Sequence, residues 1–223
     1  MKGRMSSLVK QLVNMGVLKS VEYINSFLSV DRADFMWPGY EDYAYLDQPA
    51  PLGDTGQTIS APHIHAYYLE YTKPNENSIV LEIGAGSGYL SALIGRLIKD
   101  KSGSGHVYSI EFNPTLFNFA SRNIRKTGLE DYVTVIPGNG IYGWPPKSNM
   151  EHYDVILVSA GIEYVPTCLL NQLKIDGRII IPIGKDFYQQ LTLIERRGEK
   201  DFVKKRLFTV AFVRMAGVGN VSC

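Results

Sequence analysis

Residues 80–90 read VLEIGAGSGYL, and this stretch constrains the fold more than any other part of the chain. Aliphatic residues run up to an acid, Glu82. Glycines follow at alternate positions, Gly84, Gly86 and Gly88, and then the helical pattern YLSALIGRLI. Such a run reads as a buried strand that enters a helix through glycines, which let backbone N–H groups at the helix N-terminus come close to a ligand. Strand-like runs then alternate with helical ones: IVLEI (79–83), HVYSIE (106–111), YVTVIP (132–137), YDVILVSA (153–160) and RIIIPIG (178–184). The helical stretches between them fall near 89–99, 114–127 and 165–174, with a weaker one near 140–149. This alternation predicts an α/β fold, a doubly wound, mostly parallel Rossmann-like sheet with helices on both faces. QLTLIERR (190–197) and LFTVAFVRM (207–215) have no helix between them, so they are expected to pair as an antiparallel hairpin at one edge, with RRGEKDFVKKR as its solvated tip.

In an open parallel sheet the ligand lies beyond the carboxyl ends of the strands. The first of these ends supplies Glu82 and the glycine turn. The turn is G-x-G-x-G, and Tyr89 stands where a dinucleotide fold has its third glycine. Glu82 is a poor neighbour for a pyrophosphate and suits a cationic ligand, such as the sulfonium and ammonium of S-adenosylmethionine. The second strand ends in Glu111, 27 residues after Gly84, where an acid accepts hydrogen bonds from both hydroxyls of a ribose. The third ends in Gly138-Asn139-Gly140, whose amide suits an adenine edge, and the fourth in the small residues Ser159-Ala160-Gly161. The glycine turn alone leaves a dinucleotide site or a purely structural turn open. Three polar strand ends in register with it favour a nucleoside pocket.

Composition narrows the classes. A chain of 223 residues with 45% hydrophobic content accommodates one α/β domain with a short extension. No apolar run has the length of a membrane helix. A net charge of +1 provides no global field to recruit nucleic acid or a membrane surface. The basic N-terminus is interrupted at Lys10, Gln11 and Asn14, which argues against a secretory signal. Cys168 and Cys223 lack metal-ligand spacing and read as two free thiols in a reducing compartment, so a cytoplasmic protein is expected. His63 and His65 form an H-x-H pair without a clustered carboxylate, and no metal is expected. Leu8, Leu12, Met15, Val21, Ile24 and Leu28 recur at helical spacing over residues 5–29, broken by Gly16 into two helices. The aromatic stretch DFMWPGYEDYAYLDQPAPLGDTGQ that follows is either a functional lid or core filler for those helices.

GQTISAPHIHAYYLEY (56–71) places Ser60 ahead of Ala61-Pro62 and a helical run, a pattern that also suits Ser60 as a helix N-cap. Here the chain resembles the protein-L-isoaspartate (D-aspartate) O-methyltransferases. The resemblance is carried by GQTISAPHIHA (56–66), LEIGAGSGYLSA (81–92), YSIE (108–111), YDVILVSAGIEYVPTCLLNQL (153–173) and DGRIIIPIG (176–184), and extends over about residues 5–217. The glycine motif is common to many methyltransferases, whereas the 56–66 stretch is narrow.

The resemblance implies a class I S-adenosylmethionine-dependent methyltransferase. It would be a single domain over residues 1–223, with a helical and substrate-cleft extension (1–77), a Rossmann-like core (78–217) and a tail (218–223). It implies a catalytic role for Ser60 and places Thr58, Ile59 and His65 at the cofactor and substrate cleft. Gly84, Gly86 and Gly88 would wrap the methionine part of the cofactor, Glu111 would hold the ribose, and Asn139-Gly140 would lie beside the adenine. The implied acceptor is the free carboxylate of an L-isoaspartyl residue (its α-carboxylate) or of a D-aspartyl residue; the ester collapses to a succinimide, whose hydrolysis regenerates some normal aspartate. S-adenosyl-L-homocysteine would be the other product. Damaged peptides and proteins are the expected partners, with the backbone near Phe212, Val213 and Arg214 pairing with the peptide; the sequence does not fix the oligomeric state, and a monomer is favoured. The alternative is a methyltransferase of the same fold acting on a small acid or another nucleophile. Three positions depart from the family pattern: Asn139 replaces the acid of G-D-G, Arg214 the proline of F-V-P-L, and SAGIEYVP (with Glu163) an alanine-rich stretch with a proline.

Overall fold

The computed structural model describes residues 2–186 and 188–217. Two helices, α1 (Lys2–Asn14) and α2 (Val21–Ser29), lie either side of Gly16, whose φ of 69° ends the first. Two short strands, β1 (Ala50–Pro51) and β2 (Thr58–Ile59), pair antiparallel ahead of α3 (Pro62–Thr72). The core then runs β3 (Ile79–Ile83), α4 (Tyr89–Asp100), β4 (His106–Glu111), α5 (Pro114–Lys126), β5 (Val133–Pro137), β6 (Tyr153–Val158), α6 (Thr167–Gln172), β7 (Leu173–Lys185), β8 (Tyr188–Arg196) and β9 (Phe202–Val210). The seven-stranded sheet has the order β5-β4-β3-β6-β7-β8-β9. Pairing is parallel from β5 to β7 and antiparallel from β7 to β9. The chain runs outward from β3 to β4 and β5 on one side and to β6 and β7 on the other, so the switch point lies between β3 and β6.

Successive strand residues point to opposite faces, and the sheet therefore divides its own core. Val80, Val107, Val155 and Ile180 face a large cluster built with α1 to α5. Leu81, Ile110, Ile156 and Ile179 face a smaller one that includes Leu169 of α6. The aromatic stretch after α2 packs as core filler. Phe35, Met36, Ala44, Ala50 and Leu52 are buried, and the Trp37 ring lies 4.9 Å from that of Phe119.

Several expectations are corrected. The helical phase does not run through Gly16, because the chain restarts at α2. Met15, Val21 and Leu28 are exposed, while Tyr23 and Phe27 join Leu8 and Leu12 inside. Near 140–149 there is only a 3-10 turn, Gly140–Tyr142, before Pro145 and Pro146, which interrupt backbone donation. The hairpin tip is shorter than expected: Arg196 pairs with Phe202, so residues 202–206 belong to β9 and not to the turn. Helix α3 is preceded by Ala61 as N-cap, not Ser60, with Pro62 at its first position. Cys168 is buried and is not a free thiol, which removes the two-thiol argument; Cys223 and the 218–223 tail lie outside the described residues.

Candidate active site

A cleft of about 350 Å³ opens over the carboxyl ends of β3, β4, β5 and β6. Of the residues expected there, Thr58, Ile59, Ser60, His65, Glu82, Gly84, Gly86, Glu111, Asn139 and Gly140 line it, together with Ser159 and Ala160. Gly88 does not. It precedes α4 with φ of 84°, and a Cβ there would meet Ala120 and Ile124 of α5, so it serves the turn and the helix packing. Gly84 and Gly86 also have positive φ, 91° and 56°, which L side chains rarely adopt. They let the turn bend under the cleft, with Gly84 against Ser159 across the switch point.

The two acids are held differently. Glu111 is nearly buried, and each of its carboxylate oxygens accepts one backbone N–H at 2.8 Å, Oε2 from Gly86 and Oε1 from Asn113. The strand end and the glycine turn are thus locked together. A carboxylate has further lone pairs, so acceptor capacity remains for a ligand diol. Glu82 is 1% exposed, and its Oε2 accepts hydroxyls from Ser109, at 2.6 Å, and from Ser91. Burial raises its carboxyl from 4.5 to about 7, against the lowering effect of the two hydroxyls and with a further push from nearby Glu111. A cationic ligand in the cleft would favour its ionised form.

Ser60 reaches the site on the loop between β2 and α3, and its position is set from behind. The Arg32 guanidinium, fully buried, donates to four carbonyls: Tyr43 at 2.9 Å, Ala44 at 3.0 Å, Gln48 at 3.1 Å and Ser60 at 3.2 Å. Burial lowers its pKa to about 10, so it stays charged at neutral pH. Tyr68 of α3 donates to the carbonyl of Val158 at 2.7 Å, fastening the helix after Ser60 to the end of β6. His65 is buried against Tyr89, with ring centroids 5.2 Å apart, and burial together with the Arg32 charge lowers its pKa to about 3. It is therefore a neutral wall residue and not a proton shuttle near neutral pH.

A second, adjoining groove of about 670 Å³ shares Gln57, Thr58, Ser60 and Ser159 with the cleft and continues past His63 and Tyr67 to Phe208 and Phe212. Ser60 thus stands on the wall between the two. The segment 211–215 is not an open edge. Phe212 exchanges hydrogen bonds with the buried Gln189 side chain, and Gly161 bonds Val213 and Met215, each at 2.9 Å. The pairing expected of Phe212 with a peptide is therefore already taken internally. Asn139 lines the cleft as expected and is braced by its own turn. Its Oδ1 accepts from Ile141 N–H and its Nδ2 donates to the Gly217 carbonyl, both at 3.1 Å, so the amide caps its own turn. Arg32 and Gln189 escaped the sequence reading, since a lone arginine or glutamine carries no motif.

The residues present fit S-adenosylmethionine: two acids, a glycine cradle and a cleft in the usual size range for small ligands. Among the described residues no group of three or more His, Cys, Asp or Glu gathers at a metal-binding spacing, and no helix is long and apolar enough to cross a membrane.

Comparison with known proteins agrees with this geometry. The family model for protein-L-isoaspartate(D-aspartate) O-methyltransferase matches residues 3–219. A protein-L-isoaspartate O-methyltransferase of Staphylothermus marinus is 41% identical over 94% of this chain and 92% of its own length. One from Methanopyrus kandleri is 40% identical, over 94% and 90%. A Plasmodium falciparum structure bearing the same enzyme name, in complex with S-adenosyl-L-homocysteine, superposes with a TM-score of 0.82 at 29% identity, covering 94% of this chain and 96% of that one. With its fold, its cleft and its sequence in agreement over nearly the whole length, this chain belongs to the protein-L-isoaspartate (D-aspartate) O-methyltransferase family.

Proposed function

We propose that this protein transfers a methyl group from S-adenosylmethionine to the free α-carboxylate of L-isoaspartyl residues, and to the free side-chain carboxylate of D-aspartyl residues, in damaged peptides and proteins. The ester then closes to a succinimide, and hydrolysis regenerates some normal aspartate. The observation that carries this reading is the place of Ser60, on the wall shared by the cofactor-sized cleft and an adjoining groove of about 670 Å³. A small acid would leave most of that groove unused.

The cofactor supplies an electrophilic methyl carbon on a sulfonium, whose carbon–sulfur bonding pair stays on sulfur. The acceptor carboxylate is already ionised near neutral pH, so no general base is needed. The protein's task is alignment and exclusion of water. Glu111 and the glycine turn would hold the cofactor's ribose and methionine ends, and Glu82 would offset its positive charge. Asn139 and Gly140 close the adenine side. Thr58, Ile59 and His65 form the wall beside the reacting atoms. The Ser60 hydroxyl donates to the acceptor carboxylate and orients it, and the Arg32 clamp on the Ser60 carbonyl keeps that hydroxyl in place. Within this reading the chain is one methyltransferase unit, monomeric, cytoplasmic, and independent of nucleic acid and membranes. The small net charge supports the last point, and the cysteines no longer bear on the compartment.

The test follows labelled methyl transfer to two matched peptides, one with L-isoaspartate and one with normal aspartate. Base-labile ester on the isoaspartyl peptide alone is expected, with Ser60→Ala slower in turnover and unchanged in cofactor affinity. Cofactor binding without transfer to either peptide would refute the reading and point to another acceptor.

A further inference from the structure

Four charged side chains from three separate segments cluster around Arg214 at the edge of the cleft lining, and none belongs to the machinery described above. Arg214 lies in the segment after β9 and lines the cleft. Its Nη2 is 3.3 Å from Glu163 Oε1, and its Nη1 is 3.5 Å from Asp186 Oδ1. Lys185 Nζ lies 4.0 Å from Glu163 Oε2. Side-chain exposures are 64% for Arg214, 43% for Glu163 and 72% for Asp186, so these pairs sit in water, where such contacts are weak.

The backbone beneath Arg214 is fixed by contrast. Gly161 bonds both of its chain neighbours, Val213 and Met215, at 2.9 Å. Gly161 has to be a glycine there, because a Cβ would come within 2.2 Å of the Gln189 amide that holds Phe212. The result is an exposed guanidinium on an anchored stem. Each acid contacts only one of its nitrogens, and neither uses the planar fork that a carboxylate can engage with both oxygens.

We propose that Arg214 determines acceptor specificity by taking the free carboxylate of the incoming peptide at the edge of the cleft, in exchange for Glu163. This rests on the methylation reading above. A carboxylate that displaces Glu163 can span the fork, so the exchange gains a hydrogen bond and leaves Glu163 near Lys185. Once the acceptor has become a neutral methyl ester, the guanidinium has no anion to hold and returns to Glu163. The same residue therefore favours uptake of the charged substrate and release of the uncharged product.

The test measures binding to the full-length protein saturated with S-adenosyl-L-homocysteine, using an L-isoaspartyl peptide and its isosteric α-carboxamide. The native protein should prefer the carboxylate peptide. Arg214→Ala should weaken that peptide by about tenfold, the scale of one charge-assisted hydrogen bond, and leave the carboxamide unchanged. Arg214→Lys should restore part of the preference, and Glu163→Gln should tighten the carboxylate peptide by removing its competitor. In turnover, Arg214→Ala should raise KM with kcat nearly constant. Equal weakening of both peptides, or a preference intact in Arg214→Ala while methyl transfer proceeds, overturns the role of Arg214 alone. A native protein that neither methylates the isoaspartyl peptide nor distinguishes it from the carboxamide overturns both this inference and the activity on which it rests.

Discussion

Glu82→Gln should make the ligand-free protein more stable at alkaline pH and a poorer binder of its cofactor. Glu82 is 1% exposed, and burial, offset by the Ser109 and Ser91 hydroxyls and reinforced by Glu111, lifts its carboxyl from 4.5 to about 7. Because the folded-state value lies above the unfolded one, folding takes up a proton in that window. The group's contribution to stability is complete below pH 4.5 and is lost as pH rises through about 7. At about 1.4 kcal/mol per pH unit, the loss amounts to about 3 kcal/mol once the carboxylate is fully ionised. Glutamine keeps an oxygen to accept the two serine hydroxyls and does not titrate. Urea unfolding of both proteins without ligand, from about pH 5 to about pH 9, should show the variant gaining about 3 kcal/mol relative to the native chain across that range. Cofactor affinity should change in the opposite sense, with the native protein ahead at alkaline pH and its advantage shrinking as Glu82 protonates. A stability difference that stays constant with pH would refute the argument, because it would mean that Glu82 does not titrate between its unfolded value and neutrality.

Glu111→Ala removes the acceptor of both the Gly86 and the Asn113 amide groups, so cofactor affinity by calorimetry should fall by at least about tenfold, with a stability loss of about 1–2 kcal/mol. Arg32→Met removes the donor from four carbonyls, one buried and three part-buried, and thermal and urea unfolding should show a loss of about 1–3 kcal/mol. Turnover should fall with it at temperatures where the variant is still folded, since the Ser60 carbonyl loses its clamp. Gly95→Ala sets a Cβ within 2.6 Å of Val133 Cγ2 where α4 meets β5. Overpacking of about 1–3 kcal/mol should outweigh the gain of under about 1 kcal/mol in helix propensity, and adding Val133→Ala should recover most of the loss in the unfolding midpoint.

Much of this was legible along the chain because it depends on local pattern. The strand-turn-helix of 79–100 appears as read, since period-two apolar residues, glycines and a helical stripe each act over a few neighbours. The acids at the ends of β3 and β4 reach the cleft because parallel strands in register bring their carboxyl ends to one edge. Where the structure adds to the reading, long-range geometry decides. Gly88 looks like its two neighbours in sequence, yet α5 packs against it. Asn139 lines the cleft as read, but only the fold shows that its amide also braces its own turn through Ile141 and Gly217. The segment 212–214 looks like a free edge, yet Gln189 and Gly161 occupy it.

The sequence by itself determined the α/β class, the succession of core strands along the chain and the glycine turn beneath the cleft, because apolar periodicity and the absence of side chains at the turn act on the chain where they stand. Only the tertiary structure decided that Arg32 would hold the Ser60 loop from a distance of 28 residues, that burial would lift Glu82 to about 7, and that Arg214 would meet Glu163 and Asp186 at the edge of the cleft. Each of these depends on which groups are brought together out of water. Desolvation and charge pairing are properties of a place in the fold and not of a residue in a string.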